Sequence, residues 1–200
     1  ISQSTKKDII RHFNIPANRI SVIYPSLNPL FNKVPSEKTK SEVQKRYLLP
    51  DKYILSVGSI IPRKNLLNTI KAYALLDQKT TPPLVVVGDG SEYLSKIVSY
   101  IKKSGLEEKI LFRKDVEFKD LPSIYSLAEF LIFISRYEGF GFPLIEALSQ
   151  GIPAITTRLS SLPEVAGPGA LYVDPDNLET IAKAMKSLLS DRSKRNNLAK

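Results

Sequence analysis

With 200 residues, 42% of them hydrophobic, the chain is long enough to form one large domain around a real core. It has no cysteine, which excludes disulfides, thiolate zinc sites and cysteine nucleophiles, and no apolar run approaches the ~20 residues that a membrane-spanning helix needs. Its 29 Lys and Arg against 20 Asp and Glu give a net charge of +9, which is typical of proteins that meet a polyanion, an anionic surface or phosphorylated substrates.

The N-terminal part of the chain predicts one helix and one strand. The helix covers Lys6 to Phe13 and contains His12, the single histidine of the sequence. His12 stands beside apolar neighbours, so we interpret it as a surface histidine and not as part of a catalytic triad or a metal site. The strand covers Ile20 to Tyr24 and is stopped by Pro25.

Residues 25–40 are polar and rich in proline, which predicts a linker. The spacing of Ser41 and Gln44 matches a capping box and predicts a short helix that ends near Leu48. Residues 1–46 hold nine Lys and Arg against three Asp and Glu, so they carry +6 of the net charge of +9. This basic excess is also compatible with a solvated, lysine-rich face.

From residue 53 onward, short apolar runs alternate with helical patterns. The predicted strands are Tyr53–Val57, Leu84–Val87, Ile110–Phe112, Phe130–Ile134, Ala154–Thr156 and Ala170–Val173. The predicted helices are Leu66–Leu76, Tyr93–Lys103, Leu121–Leu127, Leu144–Leu148 and Ile181–Leu189. Apolar strands joined by helices predict an α/β fold, a Rossmann-like parallel sheet of about six strands with helices on both faces. In such a sheet, ligands bind outside the carboxyl ends of the strands.

The loop after the first of these strands has the composition of a phosphate site. Gly58 allows a tight turn, and Arg63 and Lys64 follow shortly before a helix begins. A helix N-terminus already favours anions, and two cations beside it can hold a diphosphate without a metal. The alternative is a pair of solvated charges on a loop.

The loop after the fourth strand carries two carboxylates and two glycines. Glu138 lies on the loop, Glu146 in the next helix, and Gly139 and Gly141 leave amides uncovered near that helix N-terminus. Carboxylates accept hydrogen bonds from the vicinal hydroxyls of a ribose or a hexose. Glu146 is also explained as a residue that complements the helix dipole.

Three further strand-to-helix segments are ambiguous. The turn from Gly88 is explained by Ser91 as a helix cap, and Glu164 by a capping box with Ser161. Asp174 and Asp176 resemble the metal-binding pair of some sugar transferases, but their position favours a turn and a helix cap. The sequence contains neither a phosphate-binding GxxxxGK[ST] loop nor a GxGxxG motif, which weakens ATPase and dehydrogenase hypotheses.

Residues 53–191 resemble the nucleotide-binding C-terminal domain of the retaining GT-B glycosyltransferases, the family called glycosyl transferases group 1. The matching words, in the family's order, are Leu55-Ser-Val-Gly58, Pro62-Arg-Lys-Asn65, Val87-Gly-Asp-Gly90, Leu121-Pro-Ser-Ile-Tyr125, Glu138-Gly-Phe-Gly141, Pro143 to Ala147, Gly151-Ile-Pro153, Ser161 to Gly167 and Val173-Asp-Pro175. The pair Glu138 and Glu146 has the spacing of the family's E-x7-E signature.

The resemblance implies a role for each site residue. Lys64 and Arg63 are expected to hold the donor diphosphate, and Glu146 the ribose hydroxyls. The donor sugar is expected to contact Glu138 and the amides around Phe140 and Gly141. The segment from Lys114 to Val116 corresponds to the part that lines the base. Ser59 and Lys114 depart from the residues common in the family, Arg and Gly, so the charge at the first loop and the base pocket are expected to differ.

The resemblance also implies a domain organisation and partners. Residues 1–34 are expected to be the end of a preceding acceptor domain, 35–52 a linker with a short helix, and 53–200 the donor-binding domain. The partners are then a nucleotide-sugar donor and a glycan or lipid-linked acceptor, with no metal, no other cofactor and no nucleic acid. A cytoplasmic location follows, at the inner face of a membrane where the acceptor is lipid-linked. Alone, this part is expected to bind a donor but hardly turn it over.

Two alternatives remain open in the sequence. A sugar-nucleotide epimerase of the same fold would share the sheet and the pocket, but it requires acid and base groups that the sequence does not present. A non-catalytic nucleotide-sugar-binding module is disfavoured by intact Glu138, Glu146 and Lys64. The region from Ser161 to Gly167 leans towards bacterial mannosyltransferases that use GDP-mannose, while the donor's base and sugar, the acceptor and the linkage stay undetermined.

Overall fold

Six parallel strands form one sheet at the centre of the molecule, in the order β3-β2-β1-β4-β5-β6. A computed structural model describes residues 1–90 and 92–199. The strands are β1 (Ile54–Val57), β2 (Leu84–Val87), β3 (Ile110–Arg113), β4 (Phe130–Phe133), β5 (Ala154–Thr157) and β6 (Ala170–Val173). The helices are α1 (Gln3–Phe13), α2 (Glu37–Arg46), α3 (Leu66–Ala74), α4 (Glu92–Lys103), α5 (Leu121–Ser126), α6 (Phe142–Ser149), α7 (Leu162–Ala166), α8 (Leu178–Ser190) and α9 (Arg192–Leu198). The predicted Rossmann-like fold is confirmed.

Alternate residues of each strand enter two separate apolar layers, one on each face of the sheet. Ile54 packs into the layer that contains α3, α4 and α8, whereas Leu55 packs into the layer that contains α2, α5, α6 and α7. Because helices cover both faces, β2, β4 and β5 are buried along their whole length, while the second half of β1 and most of β3 and β6 are half-buried. Strands covered in this way have nearly continuous apolar sequences.

The strand order places two loops beside each other at the carboxyl edge. β1 pairs with β2 on one side, where Ile54 faces Leu84, and with β4 on the other, where Ile54 faces Phe130. The chain order reverses between β1 and β4, so the crevice of the sheet opens at their carboxyl ends. The loops that follow β1 and β4 are those of Lys64 and Glu138.

The strand predicted over Ile20 to Tyr24 is wrong. This segment has no regular secondary structure and is not part of the described sheet. Ile23 is 79% exposed, and no neighbouring strand supplies the hydrogen bonds that an extended segment needs to become a strand. Apolar, β-branched composition alone therefore does not determine the structure here.

The capping box predicted at Ser41 is also wrong, because the N-cap of α2 (Glu37–Arg46) lies five residues earlier. The Ser36 hydroxyl accepts a hydrogen bond from the Thr39 amide at 3.2 Å, and Glu37 adds a carboxylate in the first turn. The buried side chains of Phe31 and Val43 enter the same apolar layer as Leu55. The segment expected to be a linker therefore packs against the sheet.

The helix cap expected at Ser91 lies outside the described residues. Within residues 1–90 and 92–199, none of the helices has the length and apolar character required to cross a membrane.

Candidate donor site at the carboxyl edge of the sheet

The loop after β1 brings Lys64 back over the end of its own strand. Gly58 has a φ of +135°, a conformation that side chains rarely adopt, and its amide donates to the Val87 carbonyl at 2.9 Å. A short 3₁₀ turn over Pro62–Lys64 follows, and the Lys64 side chain then lies across Gly58. Its Nζ stands 4.8 Å from the centroid of the Phe133 ring, so an aromatic face supports the cation.

The loop after β4 is held by two serines from the segment between β5 and α7. The Glu138 amide donates to the Ser160 hydroxyl at 2.9 Å. The buried Ser161 hydroxyl donates to the carbonyl oxygens of Glu138 and Phe140. Gly141 has a φ of +104° at the start of α6. These contacts hold the backbone around Glu138, and its carboxylate remains able to contact the loop that follows β1.

The structure brings Arg63, Lys64 and Glu138 into one cluster. Oε1 of Glu138 lies 2.6 Å from Lys64 Nζ and 2.9 Å from the Arg63 guanidinium. The Glu138 and Lys64 side chains are 10% and 17% exposed, whereas Arg63 is 41% exposed. Because two cations meet one carboxylate, the cluster keeps an excess of positive charge at the carboxyl edge of the sheet.

The two loops are also joined through backbone groups. Arg63 donates to the Tyr137 carbonyl, and its own carbonyl accepts from the Arg136 amide at 2.9 Å. Gly88 comes from the loop after β2 and packs so closely that a Cβ there would lie 2.1 Å from the Gly58 carbonyl oxygen. Three strand-to-helix loops therefore form one continuous rim.

Glu146 is buried on α6, next to a cavity of about 550 Å³. The Tyr125 hydroxyl donates to Glu146 Oε2 at 2.7 Å. Burial raises the pKa of Glu146 above its ordinary value of 4.5, and the hydrogen bond from Tyr125 opposes that shift. The residues that line the cavity are Ser26, Leu27, Asn28, Pro29, Phe118, Phe142 and Glu146.

Phe140, Gly139 and Val116 are three further predicted site residues, and their surroundings differ. Phe140 is buried, and its ring lies 5.4 Å from that of Phe142, which lines the cavity of Glu146. Gly139 accepts a hydrogen bond on its carbonyl from the Thr5 hydroxyl at 3.2 Å. Val116 is half-buried after β3, two strands away from β1, and packs against the apolar layer of Leu55.

Several residues of this region were missed in the sequence. Tyr125 stood within a quoted motif without a role, and its burial against Glu146 depends on the packing of α5 on α6. Phe118 and Phe142 expose aromatic rings, 47% and 42% of their surface, at the cavity. No local pattern distinguishes such rings from core aromatics, because both are apolar residues near element ends.

The acidic pair near β6 is engaged within the protein. Asp176 forms a two-pronged ion pair with Arg136, one arm of which measures 2.8 Å. Asp174 accepts the Asp176 amide at 2.9 Å, as in an Asx turn, and the α8 cap is Asn177. The expected turn is confirmed, but the cap lies one residue later. In residues 1–90 and 92–199, no group of three or more His, Cys, Asp or Glu side chains is arranged to hold a metal ion.

The capping box expected at Ser161 and Glu164 is wrong in its partners. Ser161 is the N-cap residue of α7, but its hydroxyl donates a hydrogen bond to the Glu138 carbonyl and makes no capping hydrogen bond. Glu164 accepts hydrogen bonds from the amides of Gln3 and Ser4, at the start of α1. A tertiary contact has replaced the local one, which short spacing in the sequence does not reveal.

Two O-antigen mannosyltransferases are among the curated proteins to which this chain is similar. The O-antigen chain mannosyltransferase B of Escherichia coli is 32% identical over 195 residues, which are 96% of this chain and 51% of that protein. The O-antigen chain mannosyltransferase RfbU of Salmonella typhimurium is 32% identical over 189 residues, which are 94% of this chain and 49% of that protein. The chain therefore spans about half the length of these curated relatives.

The fold is shared with solved structures. The crystal structure of Anabaena HepE in complex with UDP and glucose superposes with a TM-score of 0.87 at 20% identity, over 99% of this chain and 54% of that one. Residues 38–200 match the family described as Glycosyl transferases group 1. The match includes the Lys64 and Glu138 loops and the helix of Glu146. The chain belongs to the glycosyl transferases group 1 family.

Proposed function

We propose that this chain is the donor-binding part of a retaining glycosyltransferase. It binds a nucleoside-diphosphate hexose, with mannose as the sugar, for transfer to a glycan or lipid-linked acceptor in the cytoplasm or at the inner face of a membrane. The observation that carries the proposal is the cluster of Lys64, Arg63 and Glu138, next to buried Glu146, at the switch point of the sheet. The mannosyltransferase names of the Escherichia coli and Salmonella relatives support the choice of sugar.

The diphosphate belongs at Lys64 and Arg63. An anion that approaches the rim finds two cations and the start of α3 directly behind them. Arg63 is the more exposed of the two, whereas Lys64 lies over the ring of Phe133. When the bond between sugar and diphosphate breaks, negative charge grows on the leaving diphosphate, and these cations stabilise that charge. No metal ion is needed for this step.

The carboxylates of Glu146 and Glu138 bind two other parts of the donor, the ribose and the transferred sugar. Glu146 borders a cavity wide enough for a nucleoside, and its oxygens accept the ribose hydroxyls while Phe118 and Phe142 offer aromatic faces. We assign Val116, which is half-buried after β3, to the base. Glu138 and the amides of Phe140 and Gly141 face the sugar. The anomeric carbon gains positive character during transfer, which a nearby carboxylate favours.

The test is calorimetry of the 200-residue chain with UDP-, GDP- and ADP-sugars and with the bare nucleoside diphosphates. The proposal expects saturable binding of at least one sugar nucleotide, tighter than that of AMP, and loss of that binding in Lys64→Ala. A salt-dependent shift with single-stranded nucleic acid and none with any nucleotide would contradict it. In the complete protein, transfer of the sugar with retained anomeric configuration distinguishes a transferase from a non-catalytic module.

A further inference from the structure

Glu164 caps the N-terminus of a helix that is remote from it in the sequence. Its Oε2 and Oε1 accept hydrogen bonds from the amides of Gln3, at 3.0 Å, and Ser4, at 3.2 Å. The first turn of α1 has no acidic residue of its own. The carboxylate of Glu164 therefore supplies the negative charge that the helix dipole favours at this end.

The same carboxylate holds a second part of the N-terminal segment. The Tyr24 hydroxyl donates to Glu164 Oε2 at 3.2 Å. The Tyr24 ring lies 6.3 Å from the ring of Phe140, which is one of the residues expected at the donor sugar. Glu164 thus holds both ends of the segment 3–24, and the Tyr24 end lies beside the loop of Glu138.

Helix α1 itself contacts that loop directly. The Thr5 hydroxyl donates to the Gly139 carbonyl at 3.2 Å, and the Tyr137 hydroxyl donates to Asp8 at 2.8 Å. These contacts lie on either side of Glu138, whose carboxylate meets Lys64. The position of α1 therefore constrains the backbone that presents Glu138.

We propose that Glu164 is a positioning residue that fixes α1 and Tyr24 against residues 137–141, and that it thereby determines how well this loop receives the donor sugar. The inference rests on the proposed function, because it concerns the sugar end of the same site. The nucleotide end at Glu146 lies in α6 and has no part in the contacts of α1 described above. Loss of Glu164 should therefore affect the sugar nucleotide more than the bare nucleoside diphosphate.

The experiment compares Glu164→Gln and Glu164→Ala with the unaltered chain by calorimetry. We expect the ratio of sugar-nucleotide to nucleoside-diphosphate affinity to fall by about threefold to tenfold in Glu164→Ala and by less in Glu164→Gln, which keeps one acceptor oxygen. The affinity for bare nucleoside diphosphate should stay within twofold, on the order of the error of such comparisons. Glu179→Gln is the matched control, since Glu179 is an exposed carboxylate in the first turn of α8 with no hydrogen bond or ion pair among the described residues.

A double-mutant cycle separates positioning from a general loss of stability. Tyr137→Phe removes only the hydroxyl that reaches Asp8. If Glu164 acts by holding α1 against the loop, the effects of Glu164→Gln and Tyr137→Phe on the affinity ratio are not additive. Additive effects, or an unchanged ratio in Glu164→Ala, would overturn the proposal.

Hydrogen exchange provides a readout that does not depend on the donor. In Glu164→Ala, the amides of Gln3 and Ser4 and the peptide of residues 137–141 should exchange faster, while those of β1 and β4 should not change. Equal exchange of residues 137–141 in both proteins would contradict the positioning role. If residues 137–141 exchange faster in Glu164→Ala but the unaltered chain binds no nucleotide, the positioning role of Glu164 stands and the proposed function is refuted.

Discussion

Lys64 and Glu138 form a close ion pair, with Nζ and Oε1 2.6 Å apart, although they belong to loops after β1 and β4. Arg63 approaches the same oxygen at 2.9 Å. The two cations that we assign to the diphosphate are thus partly neutralised by the protein's own carboxylate. We therefore expect a diphosphate to compete with Glu138 for these two cations and to free the Glu138 carboxylate for the sugar.

Substitution of Glu138 should therefore increase the affinity for a bare nucleoside diphosphate. In Glu138→Gln the competing charge is gone while the shape stays, and we expect a rise of about twofold to tenfold, whereas Lys64→Gln should lower it by about tenfold. Calorimetry with a nucleoside diphosphate at low and high salt measures both changes. In the complete protein, Glu138→Gln should reduce kcat more than it raises KM.

The matched control for this pair is Glu129→Gln. Glu129 pairs with Arg195 at 2.7 Å, and it precedes β4, at the opposite edge of the sheet from Glu138. Its loss should leave nucleotide affinity unchanged. Weaker nucleotide binding in Glu138→Gln would show that Glu138 contacts the nucleotide itself and would contradict the competition.

Nucleotide binding should weaken on acidification because of Glu146. Burial raises the pKa of Glu146 above 4.5, so its carboxylate takes up a proton at a higher pH than an exposed glutamate does. The protonated form is a poorer acceptor for ribose hydroxyls, so affinity should fall as the pH drops towards and through that raised pKa. Glu146→Gln should lose about 1–3 kcal/mol of nucleotide binding at pH 7 and should lack this acid-dependent decline.

Glu146→Gln should lower nucleotide affinity but raise thermal stability. A buried acid with a raised pKa opposes folding when it is ionised, above that pKa, and this cost disappears as the pH falls through it. Glu146→Gln should therefore melt at a higher temperature than the unaltered chain at pH 7, with the difference disappearing at acidic pH. A lower melting temperature at pH 7 would show that the Tyr125 contact outweighs the cost of burial.

Tyr125→Phe tests whether the hydrogen bond from Tyr125 stabilises the Glu146 carboxylate. The Tyr125 hydroxyl is buried and donates to Glu146 at 2.7 Å, so its removal leaves a buried carboxylate without this donor. We expect a loss of about 1–3 kcal/mol of folding free energy at pH 7, measured by urea unfolding. The pKa of Glu146 should rise further, which moves the acid-dependent loss of nucleotide binding to higher pH. An unchanged pH profile would contradict the support.

Donor binding should survive removal of divalent metals. We assign the positive charge at the diphosphate to Lys64 and Arg63. The carboxylates of Asp174 and Asp176 already accept hydrogen bonds, from the Asp176 amide and from Arg136 respectively. Calorimetric affinity for a nucleoside diphosphate should therefore be the same in EDTA and in Mg²⁺. Loss of binding in EDTA that Mg²⁺ restores, and that Asp176→Asn abolishes, would make the acidic pair a metal site.

The rim of the site should be sensitive to a single methyl group at Gly88. A Cβ there would lie 2.1 Å from the Gly58 carbonyl oxygen at a φ of +145°, so Gly88→Ala must shift the two loops and should cost about 3 kcal/mol or more. Gly105 also has a positive φ, +64°, but a Cβ there meets nothing within 4 Å. Gly105→Ala, the control, should cost only about 1–2 kcal/mol in urea unfolding.

The sequence by itself determined the sheet. The apolar runs of β1 to β6 predict strands covered by helices, and the spacing of Gly58, Lys64, Glu138 and Glu146 indicates the elements of the candidate site. These features are readable because strand periodicity, turn glycines and family motifs are local, and local patterns are preserved in the linear chain. The structure changed the ends of these elements only slightly.

Only the tertiary structure decided how charges and helix ends find their partners. Ser41 has the spacing of a cap, but the protein uses Ser36; Glu164 has the spacing of a local cap, but it caps α1. Ile20 to Tyr24 has the composition of a strand but finds no neighbouring strand. Hydrogen bonds and ion pairs form between groups that folding brings within about 3 Å, and a partner more than a hundred residues away leaves no trace in local spacing.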